Sequence, residues 1–110
     1  MAKNFQIGIV IATAFQRTNL LFDRSLKSVL SQTYLPDFIV IVDDNKNENE
    51  FEIIAERATQ LNNPNVFCIR NFKTKHNSGT GAWNSGVDFL CEKFENTRNG
   101  YIAILDDDDE

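Results

Sequence analysis

Four short apolar runs at near-regular intervals constrain this chain more than any other feature. Residues 7–12, 38–42, 66–69 and 101–105 are continuously apolar and rich in β-branched side chains. Runs of this length and kind predict strands covered on both faces, as in a parallel sheet. Helical patterns lie between them. Thr18 reads as an N-cap, after which Phe22, Leu26, Val29 and Leu30 recur at i, i+4, i+7 and i+8 until Pro36 stops the segment. Phe51, Ile54, Ala55, Ala58 and Leu61 mark a second helix, ended before Asn62-Asn63-Pro64. Trp83, Val87, Leu90, Cys91 and Phe94 mark a third. Each stripe reads as core packing. The order β-α-β-α-β-α-β predicts an α/β fold with right-handed crossovers.

Composition narrows the functional classes. The 110 residues suit one domain. The 11 Lys and Arg face 16 Asp and Glu, a net charge of −5. Residues 106–110 are all acidic, and the rest of the chain is neutral. Without a basic surplus, sequence-independent nucleic-acid binding is not expected. No apolar run approaches the ~20 residues that span a bilayer, and the first residues lack a signal-peptide core. Cys68 and Cys91 lie in apolar segments without CxxC spacing, so they read as two buried thiols of a cytosolic protein. The chain stops where its last strand does. Residues 1–110 therefore read as a single truncated domain of a longer protein, and surface left uncovered would favour self-association.

In a parallel α/β sheet, ligands collect at the carboxyl ends of the strands, near the point where strand order reverses. The first strand is followed by Thr13-Ala14-Phe15-Gln16-Arg17, the second by Asp43-Asp44-Asn45, and the fourth by Asp106-Asp107-Asp108-Asp109. With the first strand between the other two, these groups line one crevice. Two carboxylates 4 Å apart repel by about 4 kcal/mol at an effective dielectric of about 20. A hard divalent cation relieves this, and an oxygen-only ligand set points to Mn²⁺ or Mg²⁺, which carry substrate phosphates. Asp44 can accept an N–H from a nucleobase edge, and Phe15 can stack on the base. Asp43-Asp44-Asn45 reads equally as a turn or cap, the terminal acids also as a solvated tail, and Arg17 as a surface charge or a phosphate contact. The Gly-x-Gly of residues 77–84 is weak evidence for phosphate binding by itself.

Taken in series, these segments resemble the N-terminal half of the nucleotide-binding domain of family 2 glycosyltransferases. The family opens V-S-V-I-I-P-T-Y-N-R, which residues 7–17 follow, with Ala12 in place of Pro. Leu26, Ser28, Val29, Leu30, Gln32, Thr33 and Tyr34 are similar to its S-V-L-x-Q-T-Y helix end. Residues 39–45 resemble I-I-V-V-D-D-G/N, and Asn77, Gly79, Gly81, Ala82, Asn84 and Gly86 match N-x-G-x-G-x-x-N-x-G, with Trp83 where Arg is common. Residues 101–109 resemble Y-I-x-F-L-D-x-D-D, with Asp106-Asp107-Asp108 in the DxD position.

The resemblance implies a Rossmann-like, three-layer α/β/α GT-A fold with a mostly parallel sheet. It also implies a nucleotide-sugar donor, most often UDP-linked, and a glycan or lipid acceptor. Thr13, Phe15, Arg17, Asp43, Asp44, Asn77, Gly79, Asn84 and Asp106 are its candidate nucleotide contacts, and Asp106, Asp108 and Asp109 its candidate metal ligands. Transfer would be metal-dependent and inverting, with a hexosyl group the expected cargo. The general base and acceptor site are expected outside this chain, which alone would not turn over, and the full-length enzyme would work in the cytoplasm or at the inner face of the membrane. The rival reading is a non-catalytic α/β interaction module with an acidic tail. A sugar nucleotidyltransferase would need a Gly-rich loop after the first strand, which residues 14–17 lack.

Overall fold

A computed structural model describes residues 6–14, 17–32, 36–46, 48–71, 80–94 and 100–107. The apolar runs form strands β1 (Gln6–Thr13), β2 (Phe38–Asp43), β3 (Val66–Arg70) and β4 (Gly100–Asp106). Among the described residues they make one sheet, ordered β3-β2-β1-β4, with every pairing parallel. The chain steps outward from β1 to β3, then returns to the other side of β1 for β4. The reversal of strand order thus falls beside β1.

Side-chain alternation along the strands sorts the core into two clusters. Ile9, Ile11, Ile39 and Ile41 face one way and pack with Leu21, Leu26, Val29, Ile54 and Ala58. Val10, Ala12, Val40 and Val42 face the other way and pack with Ala82, Leu90 and Phe94. Helices α1 (Thr18–Leu20), α2 (Leu26–Leu30) and α3 (Glu48–Gln60) cover the first face, and α4 (Thr80–Lys93) covers the second. The result is the expected three-layer, Rossmann-like α/β/α arrangement.

The first helical segment departs from its expected form. A π turn, Leu21–Ser25, joins α1 to α2, with the Leu26 N–H reaching the Leu21 carbonyl. The wider turn brings Leu21 and Ser25 into the core, while Phe22 is only partly buried. Thr18 is not the N-cap. Arg17 holds that position without a side-chain bond to the helix's first N–H groups among the described residues, and the Thr18 hydroxyl donates to Glu50 of α3. Arg57 of α3 lies 4.3 Å from the Phe22 ring centre and donates to Asn19, adding a second tie between these helices.

Three other expectations fail for geometric reasons. Cys91 is exposed and Cys68 half-buried, both free thiols. Cys91 follows buried Leu90, and one residue rotates a helix by about 100°, which carries it off the buried stripe. Leu61 lies beyond the last turn of α3, just before Asn62 turns the chain at φ 53°, and it is exposed. β4 is not covered on both faces: Tyr101 is 62% and Ile104 45% exposed. Among the described strands β4 pairs with β1 alone, at the sheet edge.

Candidate functional site

The strand register brings the polar tips together. Thr13 pairs with Asp43, and Ala12 with Asp106, so β1 stands between the acids that follow β2 and those that end β4. Strands are about 4.8 Å apart, so the two acidic tips sit roughly 10 Å from one another, on either side of β1.

The pleat then divides these side chains between the two faces. On the α1–α3 face, Thr13 Oγ1 donates to Asp107 Oδ2 at 3.0 Å, and Arg17 Nη1 lies 3.4 Å from Asp107 Oδ1. Asp107 is only 3% exposed. At this position, therefore, the acidic run is not a solvated tail. Asp43, on the same face and 1% exposed, is held within the protein. The backbone N–H and side-chain amide of Asn45 both donate to its Oδ1, and Arg70 Nε lies 3.2 Å from Oδ2. That last contact is an ion pair without the alignment of a hydrogen bond, and Oδ2 has no hydrogen-bond partner among the described residues. Arg70 also donates from Nη2 to the Asn45 carbonyl at 2.9 Å. Burial holds the Asp43 carboxyl above its ordinary range, against the opposing pull of Asn45 and Arg70.

On the α4 face, the Asp44 N–H donates to the Thr13 carbonyl at 2.8 Å, which carries the β1–β2 pairing one step past the strand end. Asn71 Nδ2 donates to Asp44 Oδ1 at 3.0 Å, and Ser85 Oγ donates to Asn71 Oδ1 at 2.7 Å. Asp44 is 6% exposed. Asp106 is exposed at the tip of β4, and the alternation of that strand puts it on the α4 face, opposite to Asp107. Asn84 is exposed on the first turns of α4, beside buried Ser85.

A match to the family model described as Glycosyl transferase family 2 covers residues 9–110. The chain belongs to that family. Membership in glycosyl transferase family 2 carries glycosyl transfer as its general activity, from a nucleotide-sugar donor to an acceptor. No curated protein matches the chain.

Of the anticipated contacts, Thr13, Arg17, Asp43, Asp44 and Asp106 share the carboxyl end of the sheet, while Phe15, Asn77, Gly79, Asp108 and Asp109 lie outside the described residues. The family 2 sequence signature conceals the parts played by Asp107, Asn71 and Ser85. Asn71 follows β3 as Asp44 follows β2, so reading the residue after every strand, the third included, finds it. Trp83, at the position where Arg is common, packs against the α4-side core, and its Nε1 is buried without a partner among the described residues.

No group of three or more His, Cys, Asp or Glu side chains converges as a metal cage among the described residues. The oxygen-only chemistry at the β4 tip fits a hard cation, with Asp106 exposed and Asp107 committed to Thr13 and Arg17. A cavity of about 540 Å³ lies elsewhere, between the end of α3 and the start of β3, lined by Ala58, Asn62, Pro64, Val66 and Cys68 among others. It has no charged lining residue and sits at the opposite end of the sheet, so it does not suit a diphosphate. No helix among the described residues is long and apolar enough to cross a membrane.

Proposed function

We propose that this chain forms the donor-binding part of a metal-dependent, inverting glycosyltransferase that uses a UDP-sugar. One observation carries the reading: the acids after β2 and at the end of β4 flank β1 at the point where strand order reverses. Asp44, on the α4 face, accepts the N–H of the base. Asp43, sealed under Asn45 and Arg70, holds the turn that presents Asp44. Thr13, Phe15, Asn77, Gly79 and Asn84 line the nucleotide, and Arg17 holds Asp107 while offering its exposed guanidinium edge toward phosphate.

Asp106 and Asp108, with Asp109, are the residues assigned to Mn²⁺ or Mg²⁺. The bound cation would neutralise charge on the departing nucleoside diphosphate. The chain's own contribution is orientation. Thr13 and Arg17 fix Asp107, which holds the β4 tip against β1 and sets where its neighbour Asp106 emerges. None of the described acids is assigned as the general base that activates an acceptor hydroxyl.

Calorimetric titration of the chain with UDP, with and without MnCl₂, tests this. Tighter binding with metal is expected, and Asp108→Ala should abolish the metal-dependent part. Equal affinity under both conditions contradicts the proposal.

A further inference from the structure

A buried relay ends on Asp44. Ser85 of α4 donates to Asn71, and Asn71, the residue after β3, donates to Asp44, the residue after β2. All three side chains are buried. Only one polarity satisfies this chain. An ionised carboxylate is an acceptor alone, so Asn71 must turn its NH₂ to Asp44 and its oxygen away, and Ser85 must then donate to that oxygen. The backbone is pinned as well, with the Asn71 N–H on the Asp43 carbonyl and the Asp44 N–H on the Thr13 carbonyl, each at 2.8 Å. What remains adjustable is the Asp44 side chain, and the relay holds it.

We propose that Asn71 and Ser85 are positioning residues that make the site selective for a nucleobase with a ring N–H, as in uracil, over one with a ring nitrogen lone pair there, as in cytosine. The inference rests on the reading of Asp44 as the base acceptor. A carboxylate fixed in one orientation attracts the uracil N–H and repels the cytosine lone pair. A carboxylate able to swing aside loses both effects, because the ordering cost then falls on binding. Ser85 touches no ligand in this scheme and acts only through Asn71.

The test compares UDP and CDP binding to the full chain by calorimetry, in the parent and in Ser85→Ala, Ser85→Thr, Asn71→Ala and Asp44→Asn. Thermal melts establish folding. Losing one buried hydrogen bond corresponds to roughly a fivefold change in affinity. Ser85→Ala and Asn71→Ala should therefore weaken UDP by about that factor while CDP, relieved of the repulsion, binds no more weakly than to the parent, and Ser85→Thr should restore the UDP preference. A merely structural role would weaken both nucleotides alike. If Asn71→Ala does not fold, Ser85→Ala decides, since it removes a single oxygen. Folded Ser85→Ala with an intact UDP/CDP ratio overturns the proposal, provided that Asp44→Asn collapses the ratio. If Asp44→Asn also leaves the ratio unchanged, or the parent binds no UDP, the assignment of Asp44 itself fails and takes the relay with it.

Discussion

Thr13 Oγ1 donates to Asp107 Oδ2 across 3.0 Å, tying the last residue of β1 to the residue that follows β4. Backbone pairing between these strands extends to Ala12 and Asp106, and this side-chain bond carries it one step further, into the candidate site. Thr13→Val keeps the shape and removes the donor. A buried carboxylate oxygen left without its partner costs about 1–3 kcal/mol. Urea unfolding should show a lower midpoint with an unchanged slope. An unchanged midpoint would mean that Asp107 is as well solvated as a tail residue.

Gly86 lets α4 lie directly on the sheet. A Cβ there would meet Val10 Cγ1 at 2.5 Å and Val42 Cγ2 at 3.1 Å, both on fully buried strand residues. Gly86→Ala improves helix propensity by up to about 1 kcal/mol, yet overpacking of this kind costs about 1–3 kcal/mol. The packing penalty should win, with a melting temperature several degrees lower. Because Ser85 is the adjoining residue, UDP binding should weaken along with it.

The two cysteines should differ in reactivity. Burial, followed by the charge of Asp43, pushes the Cys68 thiol up to about 12, while Cys91 is exposed. The raised value favours the neutral thiol in the fold. This stabilising contribution is complete below about 9 and is lost as pH rises through about 12. At pH 8 a thiol reagent should label one cysteine quickly, and Cys91→Ser should remove that fast phase. A fast phase that survives Cys91→Ser would show Cys68 to be accessible as the thiolate.

Asp43 gives a pH signature of opposite sense to that of most paired carboxylates. Its folded pKa lies above 3.8 because burial outweighs Asn45 and Arg70. The contribution of its protonated form is present below about 3.8 and is lost as pH rises through the folded value. The melting temperature of the parent relative to Asp43→Asn should therefore fall as pH rises above 3.8. A difference that grows with pH would mean that the Arg70 pair dominates burial.

The strands are legible because β-branched apolar runs have few other uses, and all four lie within one residue of those runs at each end. Their order was not written locally, yet it decides whether Asp44 and Asp106 share a crevice. The π turn is not legible because Phe22, Leu26 and Val29 fit an ordinary helical stripe, and only in the folded core, with Leu21 packed among the strand isoleucines, are Leu21 and Ser25 the buried residues of that turn. Within the acidic run, composition could not say which residue turns inward. Alternation sends Asp107 to Thr13 and leaves Asp106 exposed. Asn71 and Ser85 were invisible for a different reason. Neither is unusual in type, and their roles exist only because β3 and α4 meet beside Asp44.

The central claim is that a nucleotide binds at the carboxyl ends of these strands, and amide chemical-shift mapping during a UDP titration tests it most directly. The account predicts perturbations concentrated at Thr13, Asp44, Asn71 and Asp106, which come from all four strand tips. Perturbations confined to the opposite end, at Gly8, Phe38, Val66 and Gly100, or saturation at the cavity beside α3, would contradict it.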